Sequence, residues 1–217
     1  MIYSKKVIAL VPIKDHSERV SGKNFREFCG KPLYHHIINT LDKTYAIDEI
    51  IINTDSERIN LEASSLSPKV TVHMRPDELY GDFVSTNTIF AYDLENSEAD
   101  IYLQTHATNP LLKAETIANA LRYFCEQEEF DSLFSVTEFK SRFYHHTAKA
   151  INHNPQELLR TQDLDSLYEE NSCFYIFDKG SFASTNARIG KHPKLHVTPK
   201  LESIDIDDEV TWELPKF

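Results

Sequence analysis

Val7-Ile8-Ala9-Leu10-Val11 is an unbroken apolar run that opens into Pro12-Ile13-Lys14-Asp15-His16-Ser17-Glu18-Arg19-Val20-Ser21-Gly22-Lys23-Asn24. A run without polar alternation predicts a strand covered on both faces, the pattern of a parallel sheet held between helical layers. Three cations, Lys14, Arg19 and Lys23, then crowd one loop of a chain whose formal charge is −11. The loop after the first strand is where an α/β sheet receives phosphates, and Gly22 permits a tight turn that aims Lys23 inward. Equally, such a segment reads as a solvated surface loop. It is not a Walker A loop: Ser17 occupies the first glycine position and Asn24 follows the lysine in place of Ser or Thr.

The chain continues in the same rhythm. Pro32 opens a helix whose apolar positions Leu33, Ile37, Ile38 and Leu41 recur at helical spacing. Glu49 to Asn53 predicts a buried strand, and Asp55-Ser56 caps a helix to about Leu66. Strands are expected at Lys69 to Met74, Asp100 to Gln104 and Ser132 to Val136, with helices at Ser85 to Glu95 and Lys113 to Gln127. Such alternation predicts an α/β three-layer sandwich around a mostly parallel, Rossmann-like sheet. Its ligand belongs beyond the carboxyl ends of the strands, so the segments after Ile13, Asn53, Met74 and Gln104 are the informative ones. After Val136 the rhythm stops. Residues 140–175 predict a small protruding arm, with Cys173 to Phe177 as a further strand, and an arm of this kind packs on a second copy, giving a homodimer. No repeat or flexible linker divides the chain, so residues 1–217 are expected to form one domain.

Composition narrows the function. With 41% hydrophobic and 26% charged residues the chain can bury a core. Its acidity disfavours nucleic acid, whose binding depends on phosphate neutralisation by Lys and Arg. Five glycines exclude a glycine-rich phosphate cradle, so side chains must do that work. The longest apolar run, Val7 to Ile13, is too short to cross a bilayer, which takes roughly 20 residues. Met1-Ile2-Tyr3-Ser4 lacks the pattern of a secretory leader. Cys29, Cys125 and Cys173 form no CxxC pair, and a cytoplasmic, reducing location is expected. His35-His36 and His145-His146 are adjacent pairs whose side chains diverge, so neither chelates alone. Near the end, Asp205-Ile206-Asp207 places two carboxylates on one side of a strand, a hard oxygen pair suited to Mg²⁺. Asp207-Asp208-Glu209 also reads as the acidic first turn of a helix.

The opening segment through Asn24, followed by Gly30-Lys31-Pro32-Leu33, resembles the signature of the acylneuraminate cytidylyltransferases, the CMP-sialic acid synthetases. The likeness continues through Thr54-Asp55-Ser56, Arg75-Pro76-Asp77-Glu78-Leu79, Leu103-Gln104 and Thr108-Asn109-Pro110-Leu111. It resumes at Arg160-Thr161-Gln162-Asp163 and Tyr168-Glu169-Glu170-Asn171, and closes at Ile204-Asp205-Ile206-Asp207. Individually weak, these motifs stand in family order along nearly the whole chain.

The resemblance implies a fold of the nucleotide-diphospho-sugar transferase type and transfer of CMP from CTP to the anomeric hydroxyl of an N-acylneuraminate or related nonulosonic acid, releasing pyrophosphate. Sister enzymes acting on Kdo, pseudaminic or legionaminic acid are the near alternatives, and a non-catalytic nucleotide- or sugar-binding protein is the alternative of another class. By the same resemblance Lys14, Ser17, Arg19 and Lys23 hold the triphosphate, and Asn24, Arg75, Ser85 and Thr86 lie at the cytidine. Lys23, Arg19 and Asp207 carry catalysis, and Asp205 and Asp207 hold Mg²⁺. Gln104, Arg160, Gln162, Tyr168, Glu170 and Asn171 face the sugar. Unaided by the family, Gln104 reads as a loop cap and Arg160 as a surface ion-pair partner. The chain departs from the family at Ile13-Lys14, where Ala-Arg is usual, at Asp15-His16, where Gly-Gly is usual, and at His106, an unusual insertion in the turn after Gln104.

Overall fold

The computed structural model describes residues 4–16, 20–81 and 83–213. Its centre is a seven-stranded sheet in the order β5-β4-β1-β6-β8-β7-β9. These are β1 Val7–Ile13, β4 Glu49–Thr54, β5 Val70–Met74, β6 Ile101–Thr105, β7 Ser132–Phe139, β8 Leu167–Phe177 and β9 Pro193–Val197. A two-stranded ribbon, β2 Glu27–Phe28 with β3 Lys31–Pro32, stands apart. β8 alone runs against its neighbours: it pairs antiparallel with β6 and with β7, while β9 returns parallel to β7. β8 leaves the register of β7 between Phe134 and Val136, where the ladder is irregular.

The continuous apolar run of β1 divides its side chains between two cores. Val7, Ala9, Val11 and Ile13 pack with Tyr34, Ile37, Ile38 and Leu41 of α1 (Leu33–Lys43) and with Ile117, Ala120 and Leu121 of α4 (Ala114–Glu126). Ile8 and Leu10 pack on the opposite face with Phe90 and Leu94 of α3 (Thr86–Glu95) and Phe182 of α5 (Lys179–Thr185). A strand buried on both faces has no polar row, which is why its sequence shows none. The remaining helices, α2 (Glu57–Glu62) and α6 (Glu209–Glu213), are short.

β1 lies between β4 and β6, so the chain winds outward in both directions from its carboxyl end. That is the topological switch point, where open α/β sheets leave a crevice. The mostly parallel, helix-covered sheet is as expected, and the anticipated strands and long helices are all present. Sequence reading did not foresee α5, β9 or the length of β8. Asp205 to Asp207 is irregular chain outside any ladder rather than a strand. Ile206 nonetheless buries fully with Val20, Phe28, Leu33 and Trp212, and its N–H donates to the Thr108 carbonyl at 2.9 Å. The excursion between β7 and β8 contains one isolated bridge, Tyr144 with Ala150, and exposes Ile151 and Leu158. No helix among the described residues is long and apolar enough to cross a membrane.

Candidate active site

Ser17 and Arg19 lie outside the described residues. The rest of the β1 loop is held by short local bonds. Gly22 sits at φ +61°, where a side chain would be strained, and the turn it makes brings Lys23 N to the Val20 carbonyl at 3.2 Å. The Lys23 side chain, 11% exposed, then runs inward. Its Nζ donates to the Ile206 carbonyl at 2.9 Å and to Asp207 Oδ1 at 3.1 Å. Asn24 is buried and donates from Nδ2 to the Lys14 carbonyl at 2.9 Å. Asp15 and Ser56 bridge β1 to β4: Ser56 Oγ donates to Asp15 Oδ1 at 2.5 Å, and Asp15 N to Asp55 Oδ1 at 2.7 Å. Beside them Lys14, Asp15, His16, Asp55, Tyr80 and Gly81 line a cavity of about 290 Å³.

Asp205 faces this loop from the far end of the chain. Its Oδ1 is buried and meets no hydrogen-bond partner among the described residues. Burial raises its carboxyl above the usual range and Asp207 adds to the rise, while a Thr108 hydrogen bond and Lys23 oppose it. No group of three or more metal-ligating side chains occurs among the described residues. A Mg²⁺ ion needs fewer, because water and phosphate complete its shell. An orphaned carboxylate oxygen beside a second aspartate fits that ion.

At the carboxyl ends of β4 and β5, Arg75 is 4% exposed and built into a buried chain of polar groups. Arg75 Nε donates to Asn53 Oδ1 at 2.6 Å and Nη2 to the Asn53 carbonyl at 3.1 Å. Asn53 Nδ2 donates to Asp93 Oδ1 at 2.7 Å, and His73 Nδ1 reaches the same oxygen at 2.8 Å. Burial lowers the Arg75 pKa, and the nearby Asp55, Asp93 and Tyr80 pull it back up. Ser85 and Thr86 are exposed at the start of α3, where Ser85 Oγ caps the helix by accepting from Asn87 N at 3.3 Å.

A third cluster forms at the end of β6. Gln104 is fully buried, opposite Tyr175 in the β6–β8 register. Arg188 Nη1 donates to Gln104 Oε1 at 2.6 Å and lies 3.4 Å from His106 Nε2. Gln104 Nε2 reaches both the Thr105 carbonyl, at 2.8 Å, and His106 Nε2, at 3.2 Å. The guanidinium carbon of Arg188 stands 3.8 Å from the centroid of the Tyr175 ring, a cation–π contact. The Tyr175 hydroxyl donates to Glu170 Oε1 and lies 3.1 Å from Ser172 Oγ. Burial and the Glu170 bond push the Tyr175 phenol up to about 12. Desolvation lowers the His106 imidazole to about 4, with Arg188 and Lys23 pushing the same way and Asp207 resisting. His106 therefore feels both clusters and is neutral at pH 7.

The loop delivering Arg188 is pinned at both sides. α5 begins with the Asp178 carboxylate accepting from Ser181 N at 2.7 Å and ends on Asn186 in the left-handed region, φ +52°. Past Arg188, Asp131 accepts from Lys191 N at 2.8 Å and His192 N at 3.0 Å, and Ser132 Oγ accepts from Gly190 N at 2.8 Å. Partial desolvation works against Asp131, yet the His192 and Lys191 N–H groups hold its carboxyl below the usual range.

Of the residues singled out for the sugar, Gln104 and Glu170 meet in this cluster. Arg160 does not: 73% exposed, it forms a two-pronged pair with Asp163, at 2.7 and 3.0 Å. Gln162 and Tyr168 are exposed and make no hydrogen bond to it. Asn171 is buried as a strut, its Nδ2 donating to Thr137, Thr198 and Ser203 hydroxyls and its Oδ1 accepting from Cys173 N. Sequence reading missed Arg188, Tyr175, His73 and Asp93. The signal for Arg188 was only a lone cation between two apolar residues in Asn186-Ala187-Arg188-Ile189-Gly190.

An open α/β sheet whose switch-point crevice holds a buried lysine against a late aspartate pair defines a nucleotide-binding enzyme class rather than one protein. The cytidylyltransferase family model matches residues 8–205, and the chain belongs to that family of nucleotidyltransferases. It is 26% identical over 225 residues to the pseudaminic acid cytidylyltransferase of Campylobacter jejuni serotype O:2, covering 98% of this chain and 95% of that one. It is 22% identical over 228 residues to the N-acylneuraminate cytidylyltransferase of Escherichia coli O18:K1:H7, covering 96% of this chain and 51% of that one. The fold matches that of a CMP:2-keto-3-deoxy-manno-octonic acid synthetase solved with CTP, at a TM-score of 0.66, 13% identity and 97% coverage of both chains.

Proposed function

We propose that the protein transfers CMP from CTP to the anomeric hydroxyl of an N-acylneuraminate or a related nonulosonic acid. The sugar oxygen bonds to the α-phosphorus, the bond from that phosphorus to the β-phosphate oxygen breaks, the hydroxyl proton passes to solvent, and pyrophosphate leaves. The observation that carries the reading is continuity. Lys23 and the Asp205–Asp207 pair form one electrostatic neighbourhood with Gln104 and Arg188 through His106.

Reaction at phosphorus asks little covalent chemistry of a protein; positioning and charge neutralisation supply the rate. Lys23 neutralises charge on the phosphates, assisted by Lys14 and by Ser17 and Arg19 of the same loop. Arg75 and Asn24, held by Asn53 and the Lys14 carbonyl, face the cytidine, with Ser85 and Thr86 at its edge. Asp205 and Asp207 would hold Mg²⁺, which when bound would supply Lewis-acid polarisation of the phosphoryl group and a lower pKa for the attacking hydroxyl. The exposed Tyr144, Ile151, Leu158 and Leu159 of the arm suit contact with a second copy, and the three free thiols suit a cytoplasmic setting.

The test is pyrophosphate release from CTP and Mg²⁺ with a panel of N-acetylneuraminic, pseudaminic, legionaminic and Kdo acids. Release with at least one acid is expected. A CTP-induced rise in melting temperature with no pyrophosphate from any acid would indicate a binding protein and overturn the reading.

A further inference from the structure

Arg188 is a partly buried cation that makes no direct ion pair among the described residues; the Glu170 carboxylate acts on it only from longer range. Its hydrogen bonds go to a neutral amide and a neutral imidazole, Gln104 Oε1 and His106 Nε2, both from Nη1. The nearest acid on this face, Glu170, is already engaged by the Tyr175 hydroxyl. Nε and Nη2 meet no acceptor among the described residues. One face of the guanidinium is fixed on the fully packed Tyr175 ring, and the Phe90 ring centroid lies 5.7 Å from its carbon. A fork fixed along one edge by Gln104 and on one face by the Tyr175 ring, with two donor atoms unused, is a binding group open to an acceptor.

Gln104 is spent on this arrangement. Its carbonyl oxygen accepts from Arg188, and its amide nitrogen serves Thr105 and His106. Fully buried and turned towards Arg188, Thr105 and His106, this side chain presents no group to a ligand. The fixed loop ends at Asn186 and Gly190 hold Arg188 where the β6 end reaches the crevice.

We infer that Arg188 reads the acidic sugar, donating from Nε and Nη2 to a planar pair of oxygens or a single sp² oxygen, and that Gln104 is a positioning residue for it. This rests on the proposed cytidylyl transfer to a nonulosonic acid. Such an acid offers two sources of sp² oxygen, its carboxylate and an acyl carbonyl. Arginine matches the first with two parallel charge-assisted bonds, and the second with one.

The experiment compares wild type with Arg188→Met, Arg188→Lys and Gln104→Met, using whichever acid of the panel the wild type turns over fastest. KM for sugar and for CTP, kcat and melting temperature are measured for each. Arg188→Met is expected to raise KM for the sugar about 10- to 100-fold, as loss of hydrogen bonds from a charged group does, with KM for CTP within about threefold. Arg188→Lys recovers part of that loss, because a point charge replaces the fork. Gln104→Met raises the sugar KM by less than Arg188→Met. Added methylguanidinium restores sugar affinity to Arg188→Met only if a guanidinium-shaped contact was lost.

The methyl ester and the N-deacylated form of the same acid identify the oxygen. If the wild-type advantage over Arg188→Met disappears with the ester, the carboxylate is the group read; if it disappears with the deacylated sugar, the acyl carbonyl is. An advantage undiminished in both analogues overturns the inference, as does an unchanged sugar KM, or a parallel rise in both KM values, in folded Arg188→Met. Absence of transfer by the wild type itself would instead defeat the function on which this rests.

Discussion

Lys23 Nζ and Asp207 Oδ1 lie 3.1 Å apart although 184 residues separate them in sequence. The pair closes the crevice at the end of β1 with the last described turn of the chain, and it does so under cover, since the lysine is nearly buried. Asp207 is held in turn from its own side: its N–H donates to Thr211 Oγ1 at 3.1 Å. In the proposed reaction a phosphate entering the crevice would meet an ammonium already desolvated and aimed.

Replacing either member by alanine removes one such electrostatic contact. Lys23→Ala and Asp207→Ala are each expected to lose about 10²–10³ in kcat, roughly 2.7–4 kcal/mol of barrier. Melting temperatures remain close to wild type. Pyrophosphate release and thermal denaturation on the same samples check this, and near-normal turnover by either variant refutes it. Treatment with EDTA stops transfer while leaving far-ultraviolet circular dichroism unchanged.

Gly190 has no room for a side chain. A Cβ there would lie 2.2 Å from Asp131 Oδ1 and 2.4 Å from Ser181 Oγ. Gly190→Ala must displace the carboxylate that holds Lys191 N and His192 N, at a cost of about 1–3 kcal/mol. A lower urea midpoint with an unchanged slope is the expected readout. The sugar KM rises with it, because Arg188 is carried by the same loop.

Arg75 depends on Asn53 for its orientation, and Asn53 on Asp93. Asn53→Ala leaves the buried Arg75 and Asp93 groups short of a partner, a loss of about 1–3 kcal/mol. Steady-state kinetics are expected to show KM for CTP rising at least tenfold, with KM for the sugar little altered. An equal rise in both would place Arg75 outside nucleotide binding.

Stability falls on mild acidification. The folded His106 imidazole titrates near 4, against an ordinary value of 6.5, so between those values the unfolded chain binds the proton and the folded one does not. His35, His36 and His196 are lowered by burial in the same sense. Stability is full above the ordinary histidine range and is lost progressively as pH falls through it towards 4, His106 alone accounting for about 3 kcal/mol. Urea midpoints measured from pH 7.5 to 5 are expected to decline, and His106→Gln to decline less steeply.

Local signals made most of the fold legible. β1, β4 and β6 announce themselves because both faces are covered and their apolar runs give way to polar residues only at the strand ends, as at Asn53 and Gln104, and α1 and α4 because one stripe is apolar and the other is not. β9 has exposed Leu195 and Val197 alternating with polar residues in a sheet-edge strand, too weak a pattern to separate from loop. The strand order could not be read, since the insertion of β8 between β6 and β7 depends on pairing between distant segments. At the candidate site, motif order pointed to Lys23 and the two aspartates, and the fold brings Lys23 against Asp207, with the strand expected at Asp205 replaced by irregular chain tied to Thr108 through Ile206. Arg160 and Arg188 illustrate the limit: one stands in a recognisable motif and pairs with its neighbour, while the other has no motif and is placed by a helix, a left-handed asparagine and a loop from another strand.

The antiparallel β8 also sets an order of assembly. β6 can pair with β1 as soon as it is made, but its other side stays unsatisfied until Leu167–Phe177 has been synthesised, because the strand that covers it is not the next one in the chain. β7, made in between, runs parallel to β6 in the finished sheet, because both lie antiparallel to β8. Direct pairing of β6 with β7 is thus the competing arrangement open to a nascent chain, and the native order excludes it by seating β8 between them.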